Sequence, residues 1–152
     1  KTMAASVRQS ILNAIKTRLQ SITVVNGYET DIGSNVNMWH TTDFQETELP
    51  AIDLRDPAEE VETRGGNHIC TLTIEIEAKV SGSASDITMR DIIADIIKAV
   101  GTDPTFGGLT QDTKPVSNDS LGFGQNSKKI ASIVMTFEAR YITKKFSPYT
   151  LA

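Results

Sequence analysis

The segment Cys70–Val80 limits the possible folds of this chain more than any other. Apolar and polar side chains alternate along it, and the apolar positions are Cys70, Leu72, Ile74, Ile76, Ala78 and Val80. A period of two puts one face of a strand in a core and the other in water, which is typical of an antiparallel sheet. The segment therefore predicts the second arm of a β-hairpin that turns at Gly65-Gly66-Asn67 and begins at Val61.

The remaining strands are predicted from shorter alternations bounded by turn residues. A break is predicted at Asp56–Glu60, and a tail from Thr143 to Ala152. Proline is tolerated where a strand begins, which suits Pro50. The predicted strands are two short ones within 23–40, one over Leu49–Leu54, a weak one over Val116–Leu121 and a last one over Ile133–Tyr141.

Two segments have the spacing of amphipathic helices. In the first, Val7, Ile11, Ile15 and Leu19 recur every four residues. The second runs from Ile87 to Val100, with Ser85 or Asp86 as its N-cap, and Gly101 ends it. Two pairs of opposite charge, Asp86 with Arg90 and Asp95 with Lys98, are expected on its outer surface.

This order of elements predicts an α+β fold. It consists of a mostly antiparallel β-sheet with two α-helices packed on one face. The 152 residues are the length of one domain, so 1–152 is taken as a single domain. Residues 1–3 and 146–152 are expected to be flexible or interface-forming tails.

Composition and charge exclude several classes of protein. The net charge is −4 and the pI is about 5.1, which argues against a protein dedicated to binding nucleic-acid phosphates. No apolar run approaches the roughly 18–20 residues needed to cross a bilayer. The first ten residues lack the apolar stretch of a signal peptide. Cys70 is the sole cysteine, so an internal disulfide cannot form.

A search for catalytic or ligand-binding motifs yields one weak candidate. His68 and Cys70 lie two apart on one strand and share a face, as two metal ligands or a catalytic pair would. Only His40 remains as a further nitrogen ligand. Burial in the core is the more frequent role of such residues. No cofactor, metal or enzymatic activity is predicted, and a small Cys/His-dependent enzyme stays a distant alternative.

Two distributed features point instead to an interface. Residues 43–62 hold eight acidic residues and one basic residue, whereas the segment from Lys128 to the end is mainly basic. Solvated faces explain many such charge blocks, but a head-to-tail contact between copies would explain both. Aromatic or apolar residues, Phe146 among them, also fall in predicted loops, where they either pack on the sheet or anchor an interface. The candidate interface residues are Trp39, Phe44, Glu59, Glu60, Glu62, Phe106, Leu109, Phe123, Lys128, Lys129, Lys144 and Lys145.

From end to end, the chain resembles the tail terminator family of long-tailed bacteriophages, also called minor tail protein U or tail completion proteins. The Thr-Phe-Gly-Gly-Leu turn at 105–109 and the ending from Tyr141 to Thr150 contribute most to the resemblance. The other matching segments are the helix Val7–Leu19, Gly27-Tyr28, Leu49-Pro50-Ala51-Ile52, the helix Ile87–Val100 with Asp103-Pro104, and Phe137–Arg140.

The resemblance implies a structural role in the virion. Members of the family form a ring, usually of six copies, at the head-proximal end of the tail tube. The ring ends tube polymerisation and offers a docking face for the head or neck. The implied partners are other copies of the chain, the tail tube protein, a head-completion or neck protein, and DNA that passes through the lumen without specific binding. The implied location is the virion tail, assembled in the bacterial cytoplasm, with no membrane and no cofactor. A neck or head-completion protein is the alternative.

Overall fold

A computed structural model describes residues 4–82, 85–123 and 130–152, with backbone only at residues 85 and 121–123. Short 3-10 turns lie at Val24–Asn26, Ile32–Ser34 and Glu46–Glu48. In chain order, the helices and strands of the described residues are α1 (Val7–Gln20), β1 (Val36–Met38), β2 (Ala51–Arg64), β3 (Asn67–Ser81), α2 (Ser85–Gly101), β4 (Asp112–Phe123), β5 (Ile130–Lys144) and β6 (Ser147–Leu151).

The six strands form one sheet in the order β1-β2-β3-β5-β4. All neighbours are antiparallel except β1 and β2, which are parallel. Strand β6 pairs with the end of β5, where Thr143 faces Leu151. Since β4 pairs with β5 only up to Arg140, β6 and β4 share one edge of the sheet. The predicted α+β class with a mostly antiparallel sheet is therefore confirmed.

Both helices cover the same face of the sheet. The even-numbered residues of β3 from Cys70 to Val80 are at most 5% exposed and join the core, as the alternation predicts. Odd-numbered residues of β5, such as Phe137, join the same core, together with Ile11 and Ile15 of α1 and Ile92 and Ile96 of α2. The opposite face of the sheet is polar and is here called the open face.

The predicted break at Asp56–Glu60 is wrong. Strand β2 continues through this segment, with one extra residue between Arg55 and Ala58 that shifts its register against β3. A bulge accommodates Pro57, because the bulged residues leave the hydrogen-bonded ladder. Consequently the predicted strand at 49–54 and the first arm of the predicted hairpin are one strand of 14 residues.

The two strands predicted within 23–40 are also wrong in part. Residues 24–26 and 32–34 form 3-10 turns, and only Val36–Met38 is a strand. Thr23 and Asp31 explain the difference, because the hydroxyl of Thr23 and a carboxylate oxygen of Asp31 accept hydrogen bonds from Asn26 N and Val24 N. Such local bonds compete with strand pairing.

Two further predictions change at the end of the chain and on α2. Residues 147–151 form β6 where a tail is predicted, and β5 extends to Lys144. Asp95 is 2% exposed instead of lying on the outer surface. Its carboxylate accepts hydrogen bonds from the backbone N–H groups of Glu29 and Thr30 at 3.1 and 2.9 Å. Lys98 donates to Gly27 O instead of pairing with Asp95. The predicted Asp86–Arg90 pair is present at 3.6 Å.

Candidate functional site

The candidate site is the end of the sheet that carries the β2–β3 turn and the β5–β6 turn. It contains β2 from Ala58, β3 up to Thr73, β5 from Glu138, and β6, and is here called the sheet tip. Arg64 faces Asn67, and Asn67 faces Lys144, so the β2–β3 turn and the β5–β6 turn lie at the same level along the strands. The backbone N–H of Lys145 donates to Gly66 O at 2.8 Å and ties the two turns together.

One edge of the sheet tip is the outer side of β2. Strand β1 pairs with β2 only over residues 52–54, and no other strand of the described residues covers 58–64. The side chains of Val61–Arg64 are exposed. Glu62 pairs with Arg64 at 2.7 Å, whereas Glu60 makes no ion pair within the described ranges. This edge therefore carries an unpaired strand and excess negative charge.

The opposite edge of the sheet tip is the β5–β6 turn and β6. Lys144, Lys145 and Phe146 are exposed there, and neither lysine has an acidic partner among the residues described. Phe146 is 81% exposed and has a φ of 54°. Its ring lies edge-on to the His68 ring, with centroids 5.0 Å apart, and the Lys145 ammonium is 5.7 Å from its centre. This edge is basic and carries an exposed aromatic ring.

A partly buried polar network fixes the base of the β2 edge. The Arg8 guanidinium donates to Asp56 Oδ2 at 2.7 Å and lies 3.8 Å from a carboxylate oxygen of Glu59. The Tyr141 hydroxyl donates to the other Glu59 oxygen at 2.5 Å. Burial, and then the hydrogen bond to Glu59, raise the pKa of Tyr141 above its usual value. Asp56 and Glu59 are thus held by α1 and β5 within one chain.

The predicted acidic interface residues consequently separate onto two faces. Glu59 faces Leu72 across the ladder and lies on the helix side, inside the network of Arg8. Glu60 faces Thr71 and Glu62 faces Ile69, so both lie on the open face. The alternation of a strand produces this separation, which follows once 56–60 is known to be β2. Of the predicted basic residues, Lys144 and Lys145 lie on the opposite edge, and Lys128 and Lys129 are outside the described residues.

The predicted aromatic and apolar residues have different environments. Trp39 is 51% exposed, with a φ of 49°, and its indole N–H donates to Asp56 at 2.7 Å. Phe44 stacks on His40 with ring centroids 4.1 Å apart. Phe106 is 5% exposed beneath Arg18, and Leu109 packs against the core. Phe123 is at the end of β4, and its side chain lies outside the described set.

The Cys/His pair does not have the geometry of an activated thiol. Cys70 is 5% exposed, and its Sγ contacts the backbone carbonyl of His68. Burial, and then the charge of Glu59, raise the pKa of the Cys70 thiol, whereas a nucleophilic cysteine needs a lowered pKa. The His68 ring lies against Thr63 Oγ1 at 3.0 Å. The described residues contain no group of three or more side chains that could hold a metal ion.

Two exposed residues of the sheet tip, Val61 and Tyr149, are not among the interface residues predicted from the sequence. Val61 is 55% and Tyr149 is 56% exposed, although both are apolar or aromatic residues in strands. The signal for Val61 is its position within the acidic segment, because a valine flanked by glutamates has no apolar neighbour along the chain. The signal for Tyr149 is the preceding Ser147-Pro148 pair, since serine and proline are frequent near turns.

Comparison with known proteins does not assign this chain to a family. No protein-family model matches the chain, and no curated protein matches it significantly. No helix in the described ranges has the length and apolar character to span a membrane.

Proposed function

We propose that this chain is a structural subunit of a long-tailed bacteriophage. Copies associate head to tail into a ring, of six copies if it follows the family it resembles. The ring caps the head-proximal end of the tail tube, ends tube polymerisation and presents a docking face to the head or neck. The proposed partners are further copies, the tail tube protein and a head-completion or neck protein.

The observation that carries this proposal is the pair of unlike edges at the sheet tip. Glu60 and Glu62 lie on one edge, and Lys144 and Lys145 lie on the other. A contact between unlike surfaces is heterologous, and it closes into a ring when successive copies are related by rotation without translation. Both edges lie at about the same position along the strand direction. A side-by-side contact therefore shifts each copy little along that direction relative to its neighbour.

The charge of the chain is also compatible with a lumen through which DNA passes. A protein that holds DNA by its phosphates loses affinity with salt and carries a basic patch. This chain has a net charge of −4, and on the open face Arg55 is surrounded by Asp53, Glu75 and Glu77. Such a subunit would let DNA slide past without specific binding. Its proposed location is the head-proximal end of the virion tail, after assembly in the host cytoplasm.

The decisive experiment is electron microscopy of tails from a phage that lacks this protein. The proposal expects tubes that exceed the normal length and do not join heads, together with normal tails when the protein is supplied in trans. Tails of normal length that fail to join heads would overturn the terminator role. They would instead support a neck or head-completion protein, which the same pair of ring-forming edges would also suit.

A further inference from the structure

We propose that Phe146 is the anchor by which each copy docks on its neighbour, and that it seats on the β2 edge at Val61. This inference deepens the proposed function and rests on it. It commits to a second copy of this chain as the occupant of the β2 edge. Three observations carry it: the backbone conformation of Phe146, the way the turn is held, and the matching faces of the two edges.

Phe146 lies in the β5–β6 turn at a position where the backbone suits glycine better than a bulky residue. Its φ of 54° lies in the left-handed region, which disfavours a bulky residue and favours glycine. Phe106 has the same type of conformation, but its ring is buried in the core. The Phe146 ring is 81% exposed, so little of it is removed from water. Strain of this kind is concentrated at functional sites.

The turn that presents Phe146 is held in place before any partner arrives. Lys145 N donates to Gly66 O at 2.8 Å, and the Phe146 ring rests edge-on against His68. His68 is in turn fixed by Thr63 at 3.0 Å. A side chain that is already positioned loses less conformational entropy on binding, which favours its use as an anchor.

The side chains of the two edges are complementary on both faces of the sheet. On the helix side, Val61 faces Cys70, and Phe146 contacts His68, which points to the same side as Cys70. On the open face, Glu60 and Glu62 lie on the edge strand β2, and Lys144 lies at the end of β5 beside the outer strand β6. A neighbour placed beside β2 can therefore pair apolar with apolar on one side and opposite charges on the other.

The β2 edge is able to receive a neighbouring strand. No proline follows Pro57 in β2, so every residue from Ala58 to Arg64 retains its backbone N–H. An unpaired strand edge of this kind is a template for pairing, and charged residues on it restrict which partner can bind. Glu60 and Glu62 would select the basic β5–β6 turn and repel a second β2 edge.

The first test compares Phe146→Gly with a matched control. Glycine relieves the left-handed backbone and removes the ring, so the melting temperature of dilute protein should stay unchanged or rise. Ring formation, followed by analytical ultracentrifugation, should need at least about ten-fold more protein, as expected for an interface anchor. Val25→Ser removes a residue that is 95% exposed and far from both edges, and it should leave ring formation unchanged. Unchanged ring formation by Phe146→Gly would overturn the proposal.

The second test captures the contact even where assembly is weak. Protein carrying Val61→Cys is mixed with protein carrying Phe146→Cys, so that only a contact between two copies can give their disulfide. We expect this pair to crosslink at least ten-fold faster than Val25→Cys mixed with Phe146→Cys, with unsubstituted protein as the control for buried Cys70. Equal rates in protein that forms rings would overturn the Phe146 contact and leave the ring. Failure of unsubstituted protein to associate, alone at millimolar concentration or on tail tubes, would overturn the proposed function.

Discussion

At the residue scale, buried carboxylates determine how the irregular parts of this chain attach to the regular ones. Asp95 is 2% exposed on α2, yet it accepts hydrogen bonds from Glu29 N, Thr30 N and Thr30 Oγ1. The loop after α1 contains few other backbone partners for these N–H groups. The carboxylate therefore replaces the ladder that a strand would have provided, and it fixes the loop to α2.

The substitution Asp95→Ala tests that role. It leaves two backbone N–H groups of the loop without their acceptor, which should lower the free energy of unfolding by about 2–4 kcal/mol. Urea denaturation measures the change. The control is Arg90→Ala, which removes an exposed ion pair on the same helix and should cost no more than about 0.5 kcal/mol. Equal effects of the two substitutions would contradict the assigned role of Asp95.

Tyr141 should make stability depend on alkaline pH. Burial and Glu59 raise its pKa above the ordinary value of 10.0, so the folded protein keeps a proton that the unfolded chain loses. The stabilisation is therefore complete below pH 10 and is lost as the pH rises through the folded pKa. We expect Tyr141→Phe to reduce this decline relative to the unsubstituted protein, in urea titrations from pH 8 to 11. Parallel curves for the two proteins would contradict the prediction.

At the scale of elements, the sequence predicts the helices and strands that bury one apolar face in the core. Both helices and the alternation of β3 are confirmed, because each presents a continuous apolar face to one core. The Asp56–Glu60 part of β2 is not predicted, since its side chains are exposed or half-buried and it is held by backbone pairing with β3. Strand β6 was missed for the same reason. The sheet tip could therefore not be assembled from sequence alone, although Lys144 and Glu60 were selected.

Gly33 shows a contact between elements that the sequence does not reveal. It reads as a turn glycine, but a Cβ there would lie 2.6–2.7 Å from the backbone oxygens of Leu19, Gln20 and Ile22. The end of α1 thus packs directly on the backbone of the 32–34 turn.

Replacing Gly33 by alanine should therefore separate the two elements. The backbone cannot yield as a flexible side chain would, and we expect a loss of about 3 kcal/mol in the free energy of unfolding. Gly101→Ala is the matched control, because open space surrounds its Cβ at the end of α2. That substitution should be neutral or stabilising by up to about 1 kcal/mol. Thermal or urea unfolding of both variants measures the contrast, and a neutral Gly33→Ala would contradict it.

At the scale of the whole molecule, the fold keeps stability and association in separate regions. The core lies between the helices and the even-numbered face of β3, and beside it Arg8 pairs with Asp56 at 2.7 Å and lies 3.8 Å from Glu59. Glu60, Lys144 and Lys145 make no ion pair within the described residues, and they lie at the sheet tip on opposite edges. Charge changes at the tip should therefore alter association and leave folding intact.

Charge reversal at the two edges tests this separation. Glu60→Lys makes both edges basic, and the pair Lys144→Glu with Lys145→Glu makes both acidic. Each variant should form rings less well than the unsubstituted protein because like charges then meet at every contact. Combining all three substitutions restores opposite charges in the reverse sense and should recover ring formation. The melting temperatures of dilute protein should agree within a few degrees, since exposed charges contribute little to folding.

The combined variant distinguishes a contact between edges from a general effect of net charge. Glu60→Lys changes the net charge by +2, the two lysine reversals change it by −4, and the three together change it by −2 from the natural −4. If net charge controlled association, the combined variant would associate less well than Glu60→Lys, because it is further from neutrality. If the edges meet, it associates better than either parent. Sedimentation at about 0.05 and 0.5 M salt separates the two cases. Screening weakens attraction between opposite edge charges and relieves repulsion between like net charges, so added salt lowers association if the edges meet and raises it if net charge controls association.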